Sequence, residues 1–308
     1  MKMSKAKKII ISVVSVILAL LIAFGVSFVW YYPHYNDNKA QVTVEVENNG
    51  NIKMMSYNLR CISPLDFGKK SWFYRADLII DDIVNEKPGI IGFQEATKWH
   101  YAYLTNALQG YDSVITYRDE AFNSEGCPIF YNTSLYTLVD KGSFWLSETP
   151  EVMSKSWGAQ YNRVCSYVIL TDNNSGEDFV VFNTHLSHVS DEARINGIKV
   201  VLDKIAQFGS LPAVIMGDFN AQEGSETYIQ VTKDFDDARY ATENTSDSYT
   251  YQGWGNPDDF KRIDYFMISK EGIVVNSYNV LSGLHDGVYS SDHCPIVLEI
   301  TLISNVVW

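Results

Sequence analysis

The sequence predicts an α/β layered domain of mainly antiparallel strands, preceded by one membrane-crossing helix. Ile9 to Tyr32 carries no formal charge and as a helix would be ~36 Å long at 1.5 Å per residue, enough to cross a bilayer. The roughly 250 residues that follow fit one large domain, and a hydrophobic content of 46% can bury a substantial core. Within them, short strand-like runs outnumber helical patterns. No internal repeat or low-complexity tract is visible.

Lys2, Lys5, Lys7 and Lys8 precede the apolar run, and Trp30, Tyr31 and Tyr32 close it as an interfacial aromatic belt. A cleaved secretory signal is the alternative, but the stretch is long and no small-x-small cleavage site follows it. The lysines are expected to stay in the cytoplasm, which predicts a single-pass protein of the cell membrane with its main domain outside. Residues 1–8 then form a basic cytoplasmic tail, 9–32 the transmembrane helix, 33–50 a stalk and 51–308 the folded domain. In the stalk, Gln41 to Glu47 alternates at period two, as an extended tether or an added edge strand would.

Ile52 to Asn58 reads as the first strand of the domain. Trp72 to Asn85 is helical in pattern, with apolar Leu78, Ile79, Ile83 and Val84, and Lys87-Pro88 stops it. Gly89 to Phe93 is a buried strand leading to Glu95, and a helix follows over Thr97 to Leu108. Short strands then come at Ser113–Thr116, Ile129–Tyr131, Tyr136–Leu146 and Cys165–Leu170. The polar loop Thr171 to Asp178 predicts a hairpin into the strand Phe179–Asn183. Ser190 is placed to cap a helix with a core stripe of Ile195, Ile198, Leu202 and Ile205. The strand Ala213–Met216 delivers Asp218, and strands at Ile263–Ser269, Val274–Leu281 and Pro295–Leu302 complete the chain.

All 37 acidic residues lie after the apolar span, against 20 of the 24 basic ones, a net of −17 for the outer part. Such a domain repels polyanions at long range, which counts against a tight nucleic-acid binder; acidity that only keeps the domain soluble is the plainer reading. Cys61, Cys127, Cys165 and Cys294 have no metal-type spacing. Their scatter fits buried thiols better than disulfides, for which three pairings would exist.

Nearly every potential metal ligand stands at the end of an apolar run. The runs read Met55-Ser-Tyr-Asn58-Leu-Arg60, Gly92-Phe-Gln-Glu95, Tyr161-Asn-Arg163, Asn183-Thr-His185, Met216-Gly-Asp218-Phe-Asn220, Arg262-Ile-Asp264 and Ser291-Asp292-His293. Residues at one end of adjacent strands converge on one pocket. The donors are carboxylate and amide oxygens with two imidazoles, a set that suits Mg²⁺ or Mn²⁺ better than Zn²⁺. A hard cation beside histidines and arginines points to hydrolysis of a phosphate ester.

Glu95 is the first choice for a metal ligand, against an exposed acid at a helix start. His293 can take a proton from water if a carboxylate fixes its tautomer. His185 is predicted to protonate the leaving oxygen or stabilise the transition state, against a satisfied structural histidine. Arg163 is predicted to hold non-bridging oxygens, against a surface cation. Arg262 fits a phosphate contact or a salt bridge equally, and Tyr249 to Trp254 a pocket rim or core packing.

In this order, from about Asn51 to Leu302, the blocks resemble the endonuclease/exonuclease/phosphatase superfamily, which includes DNase I, neutral sphingomyelinases and deadenylases. Gly142 to Pro150 and the run after Asn183 are similar to a membrane-anchored bacterial branch of that group. The resemblance implies two sheets packed face to face between helices, a four-layer α/β/β/α sandwich with the site at one edge, and makes 51–308 the catalytic domain. It implies Asn58 beside the metal held by Glu95, and Asp292 as a further ligand. It gives Asp218 the positioning of nucleophile or metal, Asn220 the phosphoryl oxygen, and Asp264 the partnership of His293. Arg60 replaces an acidic residue of the AP-endonuclease branch and is expected on phosphate; His185 also separates the chain from that branch. Phe260-Lys-Arg-Ile-Asp264 departs from the Trp-Cys-Asp-Arg signature of inositol-phosphate 5-phosphatases, and Glu125 to Tyr131 resembles the deadenylase branch.

The expectation is a Mg²⁺- or Mn²⁺-dependent phosphodiesterase, nuclease-type, acting on nucleic acid, a nucleotide or a phospholipid head group. The alternatives are a sphingomyelinase-like phospholipase C, a phosphomonoesterase, and an inactive membrane-anchored binding module. Intact Glu95, His185, Asp218, Asn220, Asp264 and His293 argue against the last. No protein partner is inferred.

Overall fold

A computed structural model describes residues 4–37 and 41–303, with no side-chain description for 27–37. The side chains of the aromatic belt, residues 1–3 of the tail, 38–40 of the predicted stalk and the last five residues therefore lie outside what is described. The chain divides into two compact units, Met1–Ala40 and Gln41–Trp308. In the first, helix α1 spans Lys5–Asp37, so the predicted stalk begins as helix and continues through Pro33. Lys5–Val26 within it is long and apolar enough to cross a membrane. Farther along the stalk, Val42–Thr43 pairs in parallel with Leu108–Gln109 as a short edge strand.

The second unit holds two six-stranded sheets. Its strands are β1 (Ile52–Asn58), β2 (Ile90–Gln94), β3 (Tyr111–Val114), β4 (Ile129–Asn132), β5 (Tyr136–Trp145) and β6 (Val164–Asp172). They continue with β7 (Asp178–His185), β8 (Ala213–Asp218), β9 (Phe235–Asp237), β10 (Asp264–Ser269), β11 (Ile273–Val280) and β12 (Ile296–Leu302). One sheet runs β11-β12-β1-β2-β4-β3, the other β9-β10-β8-β7-β6-β5. Each is antiparallel except for a central parallel pair, β1 with β2 and β7 with β8. A parallel pair needs a crossover. Helix α2 (Trp72–Glu86) supplies the first and α4 (Asp191–Ala206) the second.

The inner faces of both sheets share one core that includes Met54, Ile90, Val181 and Met216. Outside one sheet lie α4 and α5 (Glu226–Thr232), packed on Phe182, Ile215 and Tyr265. The other sheet is covered by α2, whose Asp82 accepts from Tyr57 Oη at 2.8 Å, and by α3 (Lys98–Ala107), whose Tyr101 meets Phe130. The sandwich therefore has the four layers that the family resemblance implies.

Several local expectations shift. In α4, Ser190 caps the helix as predicted, its Oγ accepting from Ala193 N–H. Its buried face, however, is Ala193, Gly197, Ile198, Val201 and Ile205, with Ile195 and Leu202 only half-buried. Gly197 faces Leu146, where a Cβ would make an ordinary contact at 3.5 Å. On α2, Val84 is exposed while Arg75, Ala76 and Ile80 are buried. Lys87 ends that helix in the left-handed region before Pro88. Helix α5 and strand β9 were not predicted, being too short to show a period. The four cysteines are free thiols, three of them buried.

Beneath the site, the sheets are pinned by a buried polar cluster. Gln94 Nε2 donates to Asn183 Oδ1 at 2.7 Å and to Ser56 Oγ at 3.1 Å. Asn183 Nδ2 donates to the carbonyls of Phe93 and Pro128, each at 2.8 Å. The sheets can approach this closely because residue 92 is glycine; a Cβ there would sit 2.3 Å from Met216 Cε. Asn183→Leu strands these partners in a dry core and is expected to cost about 1–3 kcal/mol of stability per group left unpaired. Urea unfolding reads this directly, and an unchanged midpoint would show the pin to be dispensable.

His100 closes a capping box at the start of α3, accepting from Thr97 N–H at 3.0 Å, its ring edge-on to Trp72. Burial, with Arg75 nearby, pushes its pKa well below the ordinary value. The folded state then holds His100 neutral while the unfolded chain protonates near pH ~6.5. This contribution to stability is complete above that pH and lost as pH falls below it. Wild type is expected to lose roughly 1.4 kcal/mol more per pH unit than His100→Gln between pH ~6 and 5. Equal slopes in denaturant titrations would refute it.

Candidate active site

Side chains alternate along a strand, and here the alternation carries each inner-facing row from core to catalytic edge. On β1, Ile52, Met54 and Ser56 lead to Asn58; on β7, Phe179, Val181 and Asn183 lead to His185. On β8, Val214 and Met216 lead to Asp218, and on antiparallel β10 Asp264 comes first and Phe266 and Ile268 follow it into the core. Sheet register sets His185 beside Asp218 and Asp218 beside Asp264. The polarity rises in steps, from hydrocarbon through amide and hydroxyl to ionisable groups.

The loops beyond these strands supply the rest. Arg60, Glu95 and Asn220 all have left-handed backbone, at φ of 58°, 58° and 49°. Such conformations are uncommon for non-glycine residues and cluster at functional sites. Glu95, His185, Asp218, Asn220, Asp292 and His293 line one cleft of about 610 Å³, together with Arg60 and Arg163.

Asn58 Nδ2 donates to Asp218 Oδ2 at 3.1 Å and reaches Glu95 Oε1 at 3.4 Å. Its oxygen accepts from Arg60 N–H at 3.0 Å. Glu95 Oε2 accepts from Cys61 N–H at 2.7 Å. Burial would raise the Glu95 pKa, but the Cys61 N–H, His293 and Arg60 outweigh it and hold the carboxyl below its usual range. Arg60 forms ion pairs with Asp66 at 3.0 Å and Asp292 at 3.6 Å. Asp292 is buried, and burial raises its pKa.

Asp218 stands between the two imidazoles, with Oδ2 3.4 Å from His185 Nε2 and 3.8 Å from His293 Nε2. Burial and neighbouring Asp264 push it up to about 7. His293 Nδ1 lies 2.9 Å from Asp264 Oδ2, which also accepts from Thr250 Oγ1 at 2.6 Å. Burial works to lower His293, but Asp264, Asp218 and Asp292 overcome it and raise the imidazole to about 10. His185 goes the other way: burial, then Arg163 and Arg118, push it well below the ordinary value. Asn220 closes the turn with its N–H on Asp218 Oδ1 at 2.8 Å, and its Nδ2 donates to Leu186 O at 3.2 Å. Arg163 is buried, its Nη2 on His188 Nδ1 at 2.9 Å.

The donor set fits a divalent cation. Glu95, Asp218, Asp264 and Asp292 crowd one edge, and burial raises the pKa of Asp218 and Asp292 there. Asp218, Asp264 and His293 bring ligand atoms within 4.8 Å of one another. Asp264, however, is engaged by His293 and Thr250, so this trio serves better as a proton relay. Glu95 and Asp292, which line the cleft, could serve as hard ligands.

Two open readings resolve. Arg262 is no phosphate contact: it is buried in a bidentate pair with Asp237 at 2.7 Å and reaches Glu223 at 2.5 Å. In Tyr249–Trp254, Thr250 and Gln252 are buried supports of the catalytic loops, and only Tyr251 lines the cleft, its ring edge-on to His293 at 4.8 Å. Sequence reasoning missed Arg118, which pairs with Glu125 at 2.7 Å and lies over Tyr161. It also left His188 unassigned, though the ring stacks on Tyr161. Glu125 and Tyr161 stood inside motifs already visible; Arg118 carried no local signal.

Residues 55–293 match the Endonuclease/Exonuclease/phosphatase family. The chain belongs to that family, and it is a phosphoester hydrolase of the divalent-metal-dependent kind. An endonuclease/exonuclease/phosphatase structure from Bacteroides vulgatus superposes with a TM-score of 0.78 at 28% identity, covering 82% of this chain and 99% of the other. A mannosyl-6-phosphatase of Bacteroides thetaiotaomicron gives 0.76 at 30% identity, covering 82% and 100%. Nocturnin of Drosophila melanogaster is 27% identical over 176 residues, 52% of this chain and 26% of that protein.

Proposed function

We propose that the chain hydrolyses a small phosphate monoester, with a sugar phosphate as the fitting class, using Mg²⁺ or Mn²⁺ held by Glu95, Asp292 and Asn58. One observation carries the choice of a small ester over a polynucleotide: the cleft's tyrosine rings are already engaged by the protein. Tyr161 is covered by Arg118, with Cζ at 4.5 Å, and stacked by His188, while Tyr251 is taken by His293 and Lys261. Single strands bind by stacking bases on free rings in a basic groove; here both rings already contact protein side chains, with Tyr161 41% exposed, and the outer part is acidic. The 30% identity to a mannosyl-6-phosphatase supports the same reading.

The ion would neutralise phosphoryl oxygens and offset the carboxylate charge that keeps His293 protonated. His293, its Nδ1–H held by Asp264, would then accept a proton from the attacking water at Nε2. Asp218 would orient that water between the two imidazoles. Asn220 has a second amide hydrogen free of Leu186 for a phosphoryl oxygen, and Arg60 and Arg163 would bind the remaining charge. His185 would stabilise the leaving oxygen.

A nuclease-type phosphodiesterase is the second reading, favoured by the relation to Nocturnin. Comparing mannose 6-phosphate, glucose 6-phosphate, bis-p-nitrophenyl phosphate and poly(A) decides between them. Monoesters are expected to lead in kcat/KM by at least about 100-fold, near 3 kcal/mol of transition-state discrimination. Faster shortening of poly(A) would transfer the assignment to the nuclease. The apolar helix is proposed as a cell-membrane anchor with the catalytic domain outside. Protease digestion of intact cells should remove that domain, and N-terminal sequencing that finds the helix absent would make it a signal.

A further inference from the structure

We infer that Arg75 is a positioning residue that ties the loop carrying Asn58 and Arg60 to the loop carrying Asp292 and His293. The inference rests on the reading of the cleft as a phosphoesterase site. Arg75 lies on α2 and is fully buried. Its Nη1 donates to Leu59 O at 3.0 Å and to Ser290 O at 2.5 Å. Nη2 reaches Arg60 O at 3.4 Å, and Nε donates to Lys70 O at 2.8 Å.

Burying a cation is costly unless it is well satisfied. Here these four hydrogen bonds all go to backbone carbonyls, and three of the four lie in the two loops that line the cleft. Leu59 adjoins Asn58, and Ser290 precedes Asp292 by two residues. The loops come from opposite ends of the domain sequence and meet because β1 pairs with β12, Ser56 beside Ile296. Beyond that pair no ladder joins them; Ser291 Oγ donates to Asn58 O at 2.6 Å and Arg60 pairs with Asp292 at 3.6 Å, and Arg75 adds a tie through the backbone carbonyls of both loops.

The tie is reinforced on both sides. Asp82, on the same helix two turns on, accepts from Ser290 Oγ at 3.0 Å and contacts His285 Nε2 at 2.9 Å. Above Arg75 lies the Trp254 ring, 5.2 Å from Cζ. The segment bearing that ring donates from Gln252 and Gly253 N–H to Asp292 O at 3.0 and 3.1 Å. Only a guanidinium, with five N–H groups in a planar fork, can hold four carbonyls in different directions; an ammonium is one point.

The test compares full-length wild type, Arg75→Lys and Arg75→Ala in detergent, with Mn²⁺ and the best phosphate ester from the substrate panel. Thermal unfolding is followed in parallel. Arg75→Lys is expected to fold and to lose about 30–100-fold in kcat with KM within about threefold, the scale set by a catalytic group displaced by ~1 Å. In Arg75→Ala, millimolar methylguanidinium is expected to restore kcat by about tenfold where methylammonium does not. Wild-type kcat in Arg75→Lys, a loss confined to KM, or a folded Arg75→Ala that is not rescued would overturn the inference. If Arg75→Ala does not fold, the Arg75→Lys kcat decides alone. If wild type hydrolyses no phosphate ester, the phosphoesterase reading fails, and amide exchange decides the tie separately. Around Leu59–Arg60 and Ser290–His293, exchange should quicken together in Arg75→Lys; unchanged exchange overturns it.

Discussion

His293→Ala is expected to lower kcat by roughly 10²–10⁴-fold, the range for removing a positioned acid–base group. The geometry makes this the most damaging single change. His293 contacts Asp264 at 2.9 Å and Asp218 at 3.8 Å while lining the cleft. Its loss also leaves Asp264 buried with only Thr250 Oγ1 and no imidazole. KM should change little, because in the proposed mechanism Arg60, Arg163 and the ion would bind the phosphate. Steady-state kinetics with metal in excess, alongside a melting curve, separates lost chemistry from lost fold. A folded variant within threefold of wild-type kcat would remove His293 from the reaction.

Glu95→Gln is expected to weaken the divalent cation by at least about 100-fold, beyond the 10–100-fold typical of losing a group behind a ligand. The substitution spares the fold, since the glutamine oxygen can still accept the Cys61 N–H that Glu95 Oε2 now takes at 2.7 Å. Only the charge is lost. The half-saturating Mn²⁺ concentration, read both from activity and from calorimetry, should rise, and excess metal should recover part of kcat. Wild-type metal affinity in Glu95→Gln would move the ion to Asp218, Asp264 and His293, whose ligand atoms also lie close enough together.

Much of the site was legible before any coordinates. Asn58, Glu95, His185, Asp218 and Asp264 stand at strand ends because apolar runs stop there, and a strand end is a local property. That Asn58, His185, Asp218 and Asp264 share the inner faces was not legible, because these strands are buried on both sides and only the packing of the two sheets tells the faces apart. Harder to see was Arg75, which reads as one more polar position on an amphipathic helix, yet is buried and bound to carbonyls more than two hundred residues apart. Arg118 was equally silent, lying in a loop with no period. The α4 stripe shifted because Ala193 and Gly197, too small to stand out as hydrophobic, lie on its buried face.

By itself, the sequence determined where strands end, which chemical groups stand there, and that one apolar helix precedes the domain, since each follows from residue type and short-range period. Only the tertiary structure decided which groups meet: Asp264 with His293, Asp218 between two imidazoles, Arg262 with Asp237 instead of phosphate. Those pairings depend on the order and register of strands in two sheets, and on the close approach that Gly92 permits between them. Order and register are set by the summed packing of the whole core, which no single segment encodes.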